Sequence, residues 1–505
     1  MEDLNIRAKV PFDLPEAYHG RHWIDGKWAT SGEVSERVSP SHGVVISRSE
    51  KGRTEDALAG IAAARSAFDD GRWSELSGKE RAAVLFKVAD LIEAKAEEMA
   101  VYETLESGKP ISQARGECGG AADLWRYAAS LARTIHGDSH NTLGPDMLAT
   151  VLKEPVGVVS IITPWNFPFW ILSQKLPFAL AAGCTCVVKP SEMTPTTTVM
   201  LAEMLAEAGL PDGVVNIVLG FGDPVGAVLA GDDDVDMVSF TGSTLVGKRI
   251  TEGSAGNLKK VALELGGKNG QAVFPDADLG RAADAVVFGA YFNVGQCCNA
   301  SSRLIVHEDI AEEFTARVVE LSRQVPFGDP LDPTTQVGAI VTPEHGVKIE
   351  GHVRAAESSG AEITLGGEAL KVPGLAPQFY QPTVVTQVTS GMPIASAEVF
   401  GPVLTVQTFG TLEKAVEIAN GTEYGLSAGV WSENVHTCLA FARGARAGTV
   451  WTNTWMDGYP EVTFGGMKQS GQGREIGSYG LNEFLEVKSV VMRVGRTRAP
   501  WVTPR

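Results

Sequence analysis

The chain has 505 residues, 44% hydrophobic and 21% charged, a globular composition with length for two or three domains. A formal net charge of −18 repels nucleic acid and anionic membrane surfaces, so neither is an expected partner. The six cysteines show no CxxC spacing and no histidine cluster accompanies them, which argues against a disulfide framework and a metal site and for a reducing cytoplasm.

The first residues carry no basic segment followed by an apolar one, so no signal peptide is expected, and no apolar run reaches the ~18 residues of a membrane span. Residues 22–28 read as a hairpin, with apolar flanks around Asp25-Gly26. Helices are predicted from Thr54, taken as N-cap, to Asp70, from Gly78 to Gly108, and from Ser112 to Thr134. After a turn at Gly144-Pro145, residues 147–153 read as a strand leaving the main body.

From Val156 short apolar runs alternate with helices: 156–162, 184–188, 214–219, 237–240 and 260–265. That rhythm predicts an α/β fold with a doubly wound parallel sheet, whose ligands bind at the carboxyl ends of the strands. A second α/β region begins near Gln271, with helices at 310–324 and 412–420 and strands near 337–340, 403–408 and 447–452. A glycine-rich stretch, 464–473, precedes an extended segment at 484–493 that can pair with 147–153. The tail from Arg496 is expected to be mobile.

Five stretches carry chemistry. Gly295-Gln296-Cys297-Cys298-Asn299 sets two cysteines in a polar turn between an apolar segment and a β-branched one, a place from which a thiolate nucleophile reaches a cleft. The residue pattern leaves the choice between the two open. Asn166, between two prolines in Pro164-Trp165-Asn166-Phe167-Pro168, is a rigid amide donor for a developing oxyanion. Glu264, in an apolar strand end, suits a general base whose pKa is raised by burial. Lys189 and Glu192 follow a strand end, where a carboxylate accepts from ribose hydroxyls and repels a 2′-phosphate, an argument for NAD over NADP. Thr241-Gly242-Ser243-Thr244 sets a glycine and hydroxyls at a helix start, a pyrophosphate cradle. The GxGxxxG-like run from Gly220 to Gly226 is a weak dinucleotide signal, because Asp223 and Pro224 stand where a phosphate would lie.

Taken together, PWNFP, KPSE, FTGST, ELGGK, GQCC, EVFGPV, FGG with KQSG, and GRE resemble, in order and spacing, the aldehyde dehydrogenase superfamily over residues 20–495. The resemblance extends to its betaine-aldehyde and aminoaldehyde branches. It implies an aldehyde dehydrogenase-like fold: a Rossmann-like NAD-binding domain (1–134 and 154–266), an α/β catalytic domain (267–470) and a β oligomerisation arm (135–153 and 482–495). It implies NAD-dependent oxidation of a small-molecule aldehyde to a carboxylate. In that scheme Cys298 is the nucleophile, Asn166 and the Cys298 N–H form the oxyanion hole, Glu264 is the base, and Lys175 and Glu475 form a proton path. The cofactor set is Ile162, Trp165, Lys189, Glu192, Gly222, Phe240, Gly242, Ser243, Leu265, Glu398 and Phe400. The substrate pocket is Phe167, Ile171, Gln174, Phe292, Cys297, Asn299, Trp455, Met456 and Phe464.

That lining suits a small or medium aliphatic or aromatic aldehyde. Asn453-Thr454-Trp455 resembles the betaine-aldehyde and aminoaldehyde enzymes, where an aromatic face receives a cation, although Gln174 replaces the aromatic that usually completes the cage. Leu245, Gly270 and Thr463 depart from common family residues without touching the catalytic set. A CoA-acylating enzyme and a non-catalytic protein on the same fold are the alternatives; Glu264 argues against the first, and the intact Cys298, Glu264 and Asn166 against the second. A homo-oligomer, dimer or tetramer, is expected.

Overall fold

The computed structural model describes residues 6–495 and 501–502; the tail expected to be mobile lies mainly outside these. Two sheets organise it. The first has eight strands, in the order Gly471–Gln472, Lys260–Glu264, Met237–Thr241, Val158–Ile162, Thr185–Lys189, Val215–Ile217, His22–Ile24 and Lys27–Ala29. Its five central strands are parallel. They are buried along almost their whole length because helices cover both faces, which is why they read as unbroken Val/Ile runs. The chain enters at Val158–Ile162, winds outward through Thr185–Lys189 and Val215–Ile217, then returns to the other side through Met237–Thr241. That reversal leaves a crevice at the carboxyl ends of Val158–Ile162 and its neighbours.

The second sheet runs Glu362–Leu365, Thr383–Thr386, Val403–Phe409, Arg303–His307, Gly270–Val273, Ser427–Trp431 and Thr449–Thr452. Its central strands are also parallel. The third unit is the arm, where Leu485–Arg493 pairs antiparallel with Met147–Pro155 along its full length, and Ser139–His140 adds a short third strand.

Two expectations change. The helix Thr54–Asp69 is capped one residue earlier: Arg53 is the N-cap, and the Asp56 carboxylate accepts its backbone N–H at 2.8 Å. No strand forms at 337–340. Those residues are buried, but Val337 makes only an isolated bridge to Phe327, Ala339 N–H donates to the helix end at Gly108 O and Ile340 N–H to Gln378 O, so the apolar run joins no ladder.

The helix Gly78–Ser107 begins at a Ser77 capping box with Glu80 and is amphipathic at first, but every residue from Met99 to Ser107 is buried. Two carboxylates in that last stretch hold neighbouring elements. Glu103 accepts the Phe169 N–H at 2.9 Å and so seats the helix Pro168–Ala182; Glu106 accepts from the Ser47 and Thr196 hydroxyls. Burial pushes Glu106 up to about 7.

The turn that carries the cysteine pair is built from left-handed backbone. Helix Leu279–Tyr291 ends, and Asn293, Val294 and Gly295 take φ values of 50°, 61° and 67° in succession. For a β-branched residue such as Val294 this is unfavourable backbone. Gly295 meets a second constraint: a Cβ there would lie 2.2 Å from Gly401 O. Gly295→Ala is therefore expected to lower stability by about 2 kcal/mol or more, read as a fall in unfolding midpoint. Gly119→Ala is the control, mid-helix with nothing within 4 Å of the added Cβ, and should be neutral or slightly stabilising.

Candidate active site

A cavity of about 510 Å³ lies where the two sheets' strand ends meet. Cys298, Cys297 and Asn299 reach it from the left-handed turn, and Glu264, Leu265 and Thr241 from the ends of adjacent first-sheet strands. The helix Pro168–Ala182 contributes Trp170, Ile171 and Gln174, with Phe167 just before it. Phe292, Met456 and Phe464 complete the expected lining.

Cys298 is partly exposed to the cavity and Cys297 is buried. The Cys298 thiol is pushed well up, first by contact with the Cys297 thiol, then by removal from water, then by the charge of Glu398. Its backbone N–H donates to no group among the described residues. Asn166 Nδ2 donates to Gln296 O at 3.1 Å, leaving its second N–H, and Asn293 Nδ2 donates to Asn166 O at 2.8 Å and Gln296 O at 3.1 Å. The Asn166 side chain thus sits on a framework of amides.

Glu264 is buried, with neither carboxylate oxygen hydrogen-bonded among the described residues. Burial raises its pKa well above the usual carboxylate range, the charge of Glu475 adds to this, and Lys175 opposes it. A carboxylate so placed is a stronger proton acceptor than an exposed one and has free lone pairs for a water. Lys175, fully buried, forms an ion pair with Glu475 and donates to Ser239 Oγ at 3.1 Å. Burial also raises Glu475, against the pull of Lys175.

The crevice above the first sheet holds the expected cofactor residues. Lys189 is buried, Nζ donating at 2.9 Å to Pro190 O and to Gly220 O, 3.9 Å from the partly exposed Glu192. Ser243 caps the ten-residue helix Thr244–Gly253, whose N-terminal end presents the positive end of its dipole. Gly242 lies over the Phe240 ring, where a Cβ would come within 2.4 Å, so a side chain there would have to displace the ring. Ile162 ends its strand as the register partner of Lys189, and Gly222 opens the exposed turn below. The Trp165 ring meets Phe400 edge-on at 5.5 Å, and Leu265 N–H donates to Ser470 O. Glu398 accepts the Gly267 N–H at 2.8 Å and burial pushes it to about 7. Carboxylates at Glu192 and Glu398, a helix N-terminus at Ser243 and a glycine at 242 are a donor set that fits a dinucleotide such as NAD. Among the described residues no cluster of ligating side chains could hold a metal ion, and no helix is long and apolar enough to cross a membrane.

One expected pocket residue is misplaced. Trp455 is buried behind the wall, its ring packed over Gly289 and Gly429, and it lines a separate, smaller pocket with Arg281 and Phe288. Asn453 and Met456 both adopt positive φ, at 55° and 62°, so the alternation of the strand Thr449–Thr452 does not continue and Trp455 turns inward. Trp451, edge-on to Trp455 at 4.8 Å, faces the cavity in its place. Trp170, Tyr459, Val462 and Glu117 also line the cavity and were not singled out. Trp170 had a readable signal, one helical turn from Phe167 and Gln174; Tyr459 and Val462 sit in an irregular loop with none.

Residues 28–490 match the sequence pattern of the aldehyde dehydrogenase family. The chain belongs to the aldehyde dehydrogenase family. It is 42% identical to a betaine aldehyde dehydrogenase of Bacillus subtilis, over 95% of this chain and 98% of that protein. It is 39% identical to the peroxisomal aminoaldehyde dehydrogenase 1 of Pisum sativum, over 95% and 97%. Its fold superposes on an NAD-dependent aldehyde dehydrogenase from Sinorhizobium meliloti with a TM-score of 0.95, at 50% identity over 99% of this chain and 98% of that one. A Staphylococcus aureus betaine aldehyde dehydrogenase in complex with NAD+ gives 0.94, at 36% identity over all of both chains. The Rossmann-type sheet, the second α/β sheet and the β arm are those of an aldehyde dehydrogenase.

The contact with Cys297 is the leading cause of the raised Cys298 thiol. Cys297→Ala should therefore move the midpoint of Cys298 alkylation by iodoacetamide, followed by peptide mass spectrometry, to lower pH. An unmoved midpoint would show that burial and Glu398 alone hold the thiol up.

Proposed function

We propose that this aldehyde dehydrogenase oxidises a medium-sized aldehyde with an apolar or aromatic tail to its carboxylate, using NAD, with Cys298 as nucleophile. One observation carries the reading: Cys298 and the unpartnered Glu264 face the same cavity, and the Asn166 amide is tied to the nucleophile turn.

Cys298 Sγ, once deprotonated, adds to the aldehyde carbon. The free Asn166 N–H and the Cys298 backbone N–H hold the oxygen as it becomes an oxyanion. Bound NAD supplies the acceptor for the hydride that leaves this carbon, and the sulfur then carries a thioester. Glu264 takes a proton from a water, the hydroxide adds to the thioester, and the carboxylate leaves as Cys298 recovers its sulfur. Lys175 and Glu475 border Glu264 and offer its proton a buried exit. Per turnover an aldehyde, a water and NAD give a carboxylate, reduced NAD and two protons.

Glu192 supports NAD over NADP, since a carboxylate near the adenosine ribose repels a 2′-phosphate. The aromatic lining of Phe167, Trp170, Phe292, Trp451 and Phe464 supports the substrate class. A second reading, a cationic aldehyde, has one observation in its favour: among the described residues the cavity wall contains Glu117 and Asp457 but no lysine or arginine. The inward turn of Trp455 removes the residue on which that reading rested. By this reading 1–134 and 154–266 form the NAD-binding domain and 267–470 the catalytic domain. The short strand Gly471–Gln472 returns to the first sheet beside Glu264. The arm (135–153 and 482–495) exposes Leu152, Val487 and Val491, which supports a homo-oligomer; a monomeric mass by light scattering would rule that out. Six unpaired cysteines accord with a reducing cytoplasm.

The deciding assay follows reduced-nicotinamide formation across an aldehyde panel, without CoA, with NAD and NADP side by side. Cys298→Ala should abolish it. Glu264→Gln should keep a stoichiometric first turnover and lose steady turnover by about 10²- to 10⁴-fold. Turnover only after CoA is added would overturn hydrolysis, equal use of NADP would overturn the Glu192 argument, and a cationic best substrate would favour the second reading.

A further inference from the structure

The geometry points to Asn269 as the positioning residue that aims the nucleophile turn, an inference that rests on Cys298 being the nucleophile. Asn269 is buried, five residues past Glu264 on the same segment, and all its side-chain hydrogen-bonding groups are engaged. Nδ2 donates to Cys298 O at 2.7 Å and to Ala300 O at 3.0 Å, while Oδ1 accepts the Ser427 N–H at 3.0 Å. Ser427 in turn donates its hydroxyl to Asn299 Oδ1 at 2.9 Å. Residues 298, 299 and 300 are thus held from one side by two side chains, Asn269 and Ser427, and Asn269 also holds the Ser427 backbone.

The other side is held by the amides already described. Asn166 and Asn293 both donate to Gln296 O. The two peptide groups that carry the Cys298 N–H and its Cα therefore lie between a fixed carbonyl at 296 and a fixed carbonyl at 298. The second anchor fits closely: a Cβ on Gly267 would lie 2.5 Å from Cys298 O, so the glycine turn after Glu264 packs directly on that carbonyl. Asn269 also joins the segment bearing Glu264 to the turn bearing Cys298, so it sets the separation of base and nucleophile. It touches neither substrate nor cofactor; its effect passes through the direction of the Cys298 N–H and Sγ.

The test uses Asn269→Asp, which keeps the shape and sets a carboxylate oxygen against two carbonyls, and Asn269→Ser, which retains one donor. Three quantities are read: first-turnover reduced-nicotinamide formation with enzyme in excess, the dissociation constant for NAD, and the rate of Cys298 alkylation by iodoacetamide, which needs an accessible thiol but no aligned oxyanion hole. The first-turnover rate should fall by about 100-fold in Asn269→Asp, as for a misplacement near 1 Å, and by less in Asn269→Ser. NAD binding in both variants and alkylation in Asn269→Ser should stay within about threefold, below any tenfold step in free energy. An unchanged first turnover in both variants, or one that falls only in step with alkylation and NAD binding, would overturn the assignment. If Asn269→Asp does not fold, Asn269→Ser decides. Cys298→Ala runs alongside: a first turnover surviving there would refute the nucleophile itself, a result separate from failure of the Asn269 inference.

Discussion

Three left-handed residues in a row are the constraint on which the site depends. A chain leaving helix Leu279–Tyr291 would ordinarily run on past the second sheet; at Asn293, Val294 and Gly295 it reverses tightly enough to present two cysteines to the cavity. Each non-glycine residue held there costs about 1–3 kcal/mol, so the turn persists only because its surroundings over-determine it. Asn293 meets this by donating its side chain to two carbonyls, and Gly295 by lying against Gly401 O where no side chain fits. Val294 is fully buried, so its apolar packing offsets strained backbone.

The electrostatics follow from where the strands end. Glu264 ends its strand between Thr241 on one neighbour and Gly471 on the other, so its carboxylate reaches the cavity stripped of water on most sides. Two buried carboxylates, Glu264 and Glu475, share one nearby ammonium, Lys175, which bonds to Glu475 and leaves Glu264 without a counter-ion. Breaking such a pair leaves an uncompensated charge inside the protein. The unequal sharing separates roles: Glu475 is tied in an ion pair, and Glu264 is free to exchange a proton.

Much of this was legible from residue order. Unbroken apolar runs marked the first sheet because its strands are buried on both faces, and the arm showed as two extended stretches that do pair. The second sheet was harder. Ser427–Trp431 contains serine, alanine and glycine, so its strand carries little β-branched signal, yet it is buried and paired on both sides, with Gly270–Val273 and Thr449–Thr452. Residues 337–340 failed in the opposite way, apolar and buried but bonded to a helix end. Trp455 was misplaced because positive φ at Asn453, a non-glycine residue, breaks the periodicity on which a pocket assignment depends. The contact of Cys297 with Cys298 and the amides around the turn are three-dimensional facts with no periodic trace, which is why the residue pattern alone left the two cysteines undecided.

The raised Cys298 thiol also bears on how long the enzyme survives between substrates. Peroxides attack a thiolate far faster than a thiol, and a sulfenic acid left exposed proceeds to irreversible oxidation. A pocket that pushes this thiol up offers oxidants a weaker nucleophile than a free thiolate until an aldehyde is present to use it. The burial that complicates activation therefore also works against oxidation of the resting thiol.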